Sequence, residues 1–98
     1  MRRRGRRDEN HAELVRVLEQ LGASVVDLAD VGGGVPDLLV GYLGRTVLVE
    51  IKNPATRYGR DGLSASQREF RAGWRGGRNI VAVSSIAECV DLVTRRDR

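Results

Sequence analysis

Apolar positions along the chain recur at intervals near 3.6 residues in some stretches and near 2 in others, and the changes of rhythm mark out seven elements. From about Asp8 to Leu21, the residues Leu14, Val17, Leu18 and Leu21 form one helical stripe that Gly22 stops. Ser24 to Leu28 reads as a short strand, followed by an irregular loop ending in Gly32-Gly33-Gly34. Pro36 to Tyr42 and Arg45 to Lys52 read as two strands joined by a tight turn at Leu43-Gly44. Both are apolar on both faces, as central strands covered on each side are. Asn53 to Leu63 is a polar loop. Ser64-Ala65-Ser66-Gln67 then has the form of a capping box opening a helix to about Trp74, which Gly76-Gly77 breaks. Asn79 to Ser84 is a fourth strand. Ser85-Ile86-Ala87-Glu88 is a second capping-box pattern, and the helix after it turns Ile86, Cys89, Val90 and Val93 inward. The expected order is αβββαβα, an α/β domain with no internal repeat.

At 98 residues and 41% hydrophobic content the chain fits one small folded domain over residues 8–98, behind a basic tail at 1–7. No apolar run approaches the roughly 18 residues of a membrane span, and the arginine-rich start has no apolar stretch after it, so neither a span nor a leader is expected. The expected location is the cytoplasm. One cysteine, Cys89, excludes an intramolecular disulfide and offers no ligand spacing; it is expected in the packing of the last helix. His11 is also single and reads as structural.

Charge changes the picture more. The net charge is +4, but Arg2, Arg3, Arg4, Arg6 and Arg7 precede every acidic residue, and without them 12 basic residues face 13 acidic ones. The tail reads either as a cationic arm for a phosphate backbone or as a solubility tail or start-site artefact. A second cluster (Arg57, Arg60, Arg68, Arg71, Arg75 and Arg78) is interrupted only by Asp61 and Glu69. Such a basic interval is where a nucleic acid would lie.

That interval follows the most unusual position in the chain. Sixteen of the seventeen basic residues are arginine; Lys52 alone is lysine. A compact ammonium offers a point charge with an adjustable pKa, which guanidinium does not. Alternation puts Glu50 and Lys52 on one face of their strand, with Ile51 on the other. With Leu43 and Gly44 as the two central turn residues, Asp37 falls opposite Glu50, about 4.5–5.5 Å between Cβ atoms; a bulge at Gly44 would slip this by one. Two carboxylates so close favour a cation between them. Oxygen ligands without Cys or His point to Mg²⁺ or Mn²⁺. Such a cation polarises a phosphoryl oxygen and activates water, Lys52 orients the water or steadies the developing charge, and the Ile51 carbonyl is a further candidate ligand. Glu13, at the rim of the first helical stripe, either completes the shell or is a surface acid favoured by the helix dipole. Gln67 falls on the expected core-facing stripe with Leu63, Phe70 and Trp74; it serves either the site or its own helix cap. Gly32 to Gly34 lack the lysine and hydroxyl residue of a phosphate-binding P-loop, so no nucleotide cofactor is expected. Gly33 and Gly34 let backbone approach DNA or shape the approach to Asp37.

Glu13-Leu14-Val15, Leu21-Gly22-Ala23, Gly33-Gly34-Val35-Pro36-Asp37 and Glu50-Ile51-Lys52 together resemble the PD-(D/E)xK nuclease superfamily, within it the VRR-NUC branch, and more distantly the archaeal-type Holliday junction resolvases. Ser64 to Gln67, Trp74 and Gly76-Gly77 are similar to small phage-type VRR-NUC proteins, so a phage-encoded protein acting in its host is one expectation. The resemblance runs from about Asn10 to Val93. It implies a restriction-endonuclease-like fold with a central mixed sheet flanked by helices, and Mg²⁺-dependent cleavage of DNA. Asp37 and Glu50 would be metal ligands, Lys52 the catalytic lysine and Glu13 the first-helix acid. It also implies a homodimer on branched DNA such as a four-way junction or flap. The loop before Pro36-Asp37 departs from the resolvase pattern, since Val31-Gly32-Gly33-Gly34 carries no hydroxyl residue. Two other readings stand beside it: a non-catalytic DNA-binding module of the same fold, and a restriction-type endonuclease on linear duplex.

Overall fold

The structure, a computed structural model, describes residues 9–53 and 62–94. These form α1 (Glu9–Gln20), β1 (Ser24–Asp27), β2 (Leu38–Tyr42), β3 (Arg45–Ile51), α2 (Ala65–Gly73), β4 (Ile80–Val83) and α3 (Ile86–Thr94). The basic tail at 1–7 and the loop arginines Arg57 and Arg60 lie outside the described residues. The strands make one mixed sheet in the order β1-β2-β3-β4, antiparallel except for the parallel β3–β4 pair. No helix among the described residues is long and apolar enough to cross a membrane.

The β2–β3 hairpin fixes the geometry. Leu43 and Gly44 both take positive φ, 50° and 81°, as a two-residue turn matched to strand twist requires. Tyr42 pairs with Arg45 and Leu38 with Val49, so there is no bulge and the register is the one counted from the turn. The observed strands are shorter than the apolar runs. Pro36 has no N–H for a ladder, and Pro36 and Asp37 precede β2. Lys52 follows β3, although its N–H still donates to the Val83 carbonyl at 2.8 Å. β1 ends one residue early, at Asp27.

Partners across a sheet share a face. One face collects Leu38, Val40, Val49 and Val83, with Val25, Val47, Ile51 and Val81 around them. Against it pack Leu14 and Leu18 of α1 and Cys89, Leu92 and Val93 of α3. Each fully buried Leu or Val there contributes about 1.5–3 kcal/mol. Cys89 is fully buried, and burial pushes its thiol up to about 11; it is a packing residue. His11 is buried too. Its Nε2 lies 3.1 Å from Asp27 Oδ2, while Asp27 Oδ1 accepts the Ala29 N–H at 2.9 Å. The pair ties the start of α1 to the end of β1.

The other face carries Leu39, Leu48, Glu50 and Ile80 and receives α2. Here the expected core stripe is corrected: α2 buries no residue fully, and Leu63, Gln67, Phe70 and Trp74 are only half-buried. A stripe containing an amide that needs polar partners cannot be sealed like a leucine stripe. Phe70 and Trp74 stack with centroids 5.5 Å apart. Trp74 Nε1 donates to Asn79 Oδ1 at 2.9 Å, and Asn79 Nδ2 donates to the Thr46 carbonyl at 3.2 Å, pinning the helix end to the sheet. The cap at Ser64–Gln67 is a full capping box. The second cap is half of one: Ser85 Oγ accepts the Glu88 N–H, but the Glu88 carboxylate reaches back to the N–H and hydroxyl of Ser84.

Candidate active site

The site forms where β2 begins and β3 ends, on the face that receives α2. Leu38 faces Val49, so the next pair outward is Asp37 and Glu50. Two backbone contacts hold Asp37. Its carbonyl accepts the Leu28 N–H at 2.7 Å, and its Oδ2 accepts the Ile51 N–H at 2.8 Å. Continued one step, the same register sets Ile51 opposite Pro36, which has no N–H. Even-numbered β3 residues turn their backbone groups to β4, since the Leu48 and Lys52 amides donate there. The ladder therefore supplies no donor to the Ile51 carbonyl. Pro36 thus leaves a hard backbone oxygen open beside two carboxyl groups.

Glu50 is 5% exposed. Its pKa is pushed up from an ordinary 4.5 to about 8, first by burial, then by the negative charge of Asp37 and a side-chain hydrogen bond with it; Lys52 and Arg71 pull the other way. At neutral pH Glu50 therefore keeps its proton. Two like-charged groups out of water share a proton unless a cation replaces it. Burial beside a like charge is one of the arrangements by which functional sites shift a carboxyl pKa.

Gln67 serves both roles that the sequence left open. Its Oε1 accepts the Ser64 N–H at 2.8 Å and its Nε2 donates to Glu50 Oε2 at 2.8 Å. The Gln67 N–H in turn donates to Ser64 Oγ at 3.1 Å. The cap fixes which end of the amide faces Glu50, so α2 delivers a donor to that carboxyl and no acceptor.

Lys52 lies on the Glu50 face, and its Nζ donates to the Gly62 carbonyl at 3.2 Å. Asn10 at the start of α1 donates from Nδ2 to the Lys52 carbonyl at 3.1 Å, fixing the backbone under the lysine. Gly34 has φ +82°, and a Cβ on it would collide with the Ser66 carbonyl. Its close approach is to the first turn of α2 and shapes the site wall. Gly33 is exposed, with open space where a Cβ would stand.

Asp37, Glu50, Lys52, the Ile51 carbonyl and Gln67 are thus brought together. Glu13 is exposed, one turn along α1 from Asn10, and does not join them: among the described residues no three His, Cys, Asp or Glu side chains form a ligand group. Arg68 is exposed and spends Nη1 on the Leu63 carbonyl at 2.7 Å, closing its own helix start. Sequence reasoning gave Asn10 and the Gly62 carbonyl no role, and no local signal marks either. It grouped Arg71 with the general basic cluster, yet the i,i+4 spacing from Gln67 places it beside Glu50.

No protein-family model, curated protein or solved structure matches the chain. Its chemistry has to be argued from these contacts. Two carboxyl groups that favour a shared positive charge, plus an unclaimed carbonyl, form a hard-oxygen donor set. That set suits Mg²⁺ or Mn²⁺ and not a soft ion. With only two side-chain acids, the remaining positions of an octahedral ion would fall to water or substrate oxygen.

Proposed function

We propose that this chain is a metal-dependent DNA endonuclease of the PD-(D/E)xK type, with a restriction-endonuclease-like fold and closest in motif to the VRR-NUC branch. The observation that carries the reading is the Asp37–Glu50 pair, opposed across one tight hairpin, with Lys52 at its shoulder and the donor end of Gln67 on Glu50. Asp37, Glu50 and the Ile51 carbonyl would hold Mg²⁺ or Mn²⁺, which when bound supplies charge to a phosphoryl oxygen and lowers the pKa of water. The chain's own groups do the rest. Asp37 is locked by the Ile51 amide, and Gln67 sets the Glu50 carboxyl. Lys52 brings a positive charge to the phosphate at a fixed distance from both acids, where charge develops as water attacks. Arg68 and Arg71 of α2 suit backbone and shape recognition better than base reading.

The substrate in this reading is branched DNA, a four-way junction or flap, cut by a homodimer that offers two such sites. Labelled junction, flap and linear duplex incubated with the protein and Mg²⁺ test it. The expected result is cutting of branched DNA that stops with EDTA and falls at least ~100-fold in Lys52→Ala and Asp37→Asn. Cutting that survives both substitutions rejects this site. Binding without turnover, weakening with salt alone, favours a non-catalytic DNA-binding module. A discrete ladder on long linear duplex favours a restriction-type enzyme.

A further inference from the structure

Arg71 stands apart from Arg68, the other arginine of α2. It is half-buried, one turn on from Gln67 along the same face, and its charge reaches Glu50. Among the described residues no hydrogen bond or ion pair occupies its guanidinium. Arg68, by contrast, is exposed and already committed to the Leu63 carbonyl. A half-buried guanidinium gives up part of its hydration, and five donors left open at the mouth of a site call for an oxyanion. The planar fork matches two oxygens of one phosphate, which the single ammonium of Lys52, already donating to Gly62, does not. Charge points the same way. With Glu50 protonated, Asp37 and Lys52 cancel, and Arg71 leaves the site with a net positive charge for a phosphodiester.

We propose that Arg71 binds the non-bridging oxygens of the phosphodiester under attack, so that it holds the scissile phosphate while Lys52 serves the attacking side. This rests on the nuclease reading and assigns that site its substrate anchor. An ordinary counter-ion of Glu50 would need no fork and would make no contact with substrate.

The test compares wild type, Arg71→Gln, Arg71→Lys and Arg75→Gln on a labelled four-way junction. Cleavage is measured in Mg²⁺ and affinity in Ca²⁺, with thermal melting as a check on folding. Arg71→Gln is expected to lower kcat ~100-fold while Kd changes less than ~5-fold, and Arg71→Lys to recover part of the rate. Arg75→Gln should alter only affinity and its salt dependence. A phosphorothioate of either configuration at the cleaved position gives the decisive readout. Sulfur at either non-bridging position should slow the wild type, and Arg71→Gln should be less sensitive to that sulfur than the wild type in at least one diastereomer, beyond the metal's own preference for oxygen. Equal sulfur sensitivity in the wild type and Arg71→Gln, or an Arg71→Gln profile matching Arg75→Gln, overturns the assignment and leaves the nuclease reading standing. Absence of any cutting by the wild type defeats the nuclease reading itself, and this assignment with it.

Discussion

The two faces of the sheet follow opposite rules. On the α1/α3 face Leu14, Leu18, Leu38, Val40 and Val49 are at most 1% exposed, and none of these side chains has a polar group to satisfy. On the α2 face the most deeply buried polar side chain is Glu50, and the helix over it buries nothing completely. One face is made of contacts that are numerous and individually replaceable. The other is made of few contacts, each with a direction: Gln67 to Glu50, Ser64 to Gln67, the Ile51 amide to Asp37, Gly34 against Ser66. Stability is concentrated in the first, and the proposed chemistry in the second. The faces should therefore respond differently to substitution, pH and ligand.

The largest separation should come from truncating each face in turn. Leu18→Ala removes a fully buried side chain between α1 and the sheet and is expected to cost ~2–5 kcal/mol, read from urea midpoints. Phe70→Ala on α2 touches a half-buried ring and should cost less than half as much, while lowering DNA cleavage more than Leu18→Ala does under conditions where both are folded. Equal stability losses at the two positions would erase the distinction between a sealed face and an open one.

Next in size is the glycine contact that joins the two halves of the site wall. Gly33 and Gly34 both have positive φ, 67° and 82°, so alanine at either costs ~1–2 kcal/mol in backbone strain. Only at Gly34 does the added methyl meet the Ser66 carbonyl. Gly34→Ala is therefore expected to lose ~1–2 kcal/mol more than Gly33→Ala, by displacing α2 against its anchors. It should also reduce cleavage where Gly33→Ala does not. Matching losses in melting and activity would show that strain alone matters there and that α2 is not held by this approach.

The same contrast explains which parts of the molecule could be read from residues alone. Leu14, Val17 and Leu18 announce α1 because periodic burial is written in apolar spacing. The hairpin register followed from Leu43-Gly44 because a two-residue turn admits one pairing. That register puts Asp37 beside Glu50. Directional contacts leave no comparable trace. Asn10 reaching the Lys52 carbonyl joins residues 42 apart, and Gly34 meeting Ser66 depends on how a loop and a helix start converge. The α2 stripe misled because Leu63, Phe70 and Trp74 show helical spacing, and spacing says which residues share a face without saying how deeply that face is buried.

A pH series sharpens the electrostatic side of the comparison. With its pKa near 8 in the fold against an ordinary 4.5, Glu50 keeps a proton in the folded protein that the unfolded chain has released. The folded state then binds more protons across that window. Its stability from this group is full below about 4.5, declines as pH rises towards 8 and is flat beyond. Glu50→Gln cannot ionise and should flatten the decline, which urea unfolding at pH 5, 7 and 8.5 measures. Millimolar Mg²⁺ at pH 8.5 should restore stability to the wild type and leave Glu50→Gln unmoved, since binding to the folded state alone stabilises it. Identical pH profiles for the two proteins would mean that Glu50 is not buried against Asp37 in solution.

The smallest expected effect on stability, and the most selective, is at Gln67. Glutamate there keeps an acceptor for the Ser64 N–H, so the capping box survives, but it replaces the donor facing Glu50 with an oxygen. Alanine removes both. Gln67→Ala is expected to cost ~1 kcal/mol through the lost cap and to free the Glu50 side chain. Gln67→Glu should hold α2 near wild-type stability at a pH below the ordinary glutamate pKa of about 4.3, where an added acid is largely protonated, and lose ground as pH rises and a third carboxyl ionises beside two others. Cleavage should fall in both variants, because the Glu50 carboxyl loses the contact that orients it. If Gln67→Glu cuts DNA as fast as the wild type, Gln67 only caps α2, and the open face of the sheet contains one fewer directed contact than the geometry assigns it.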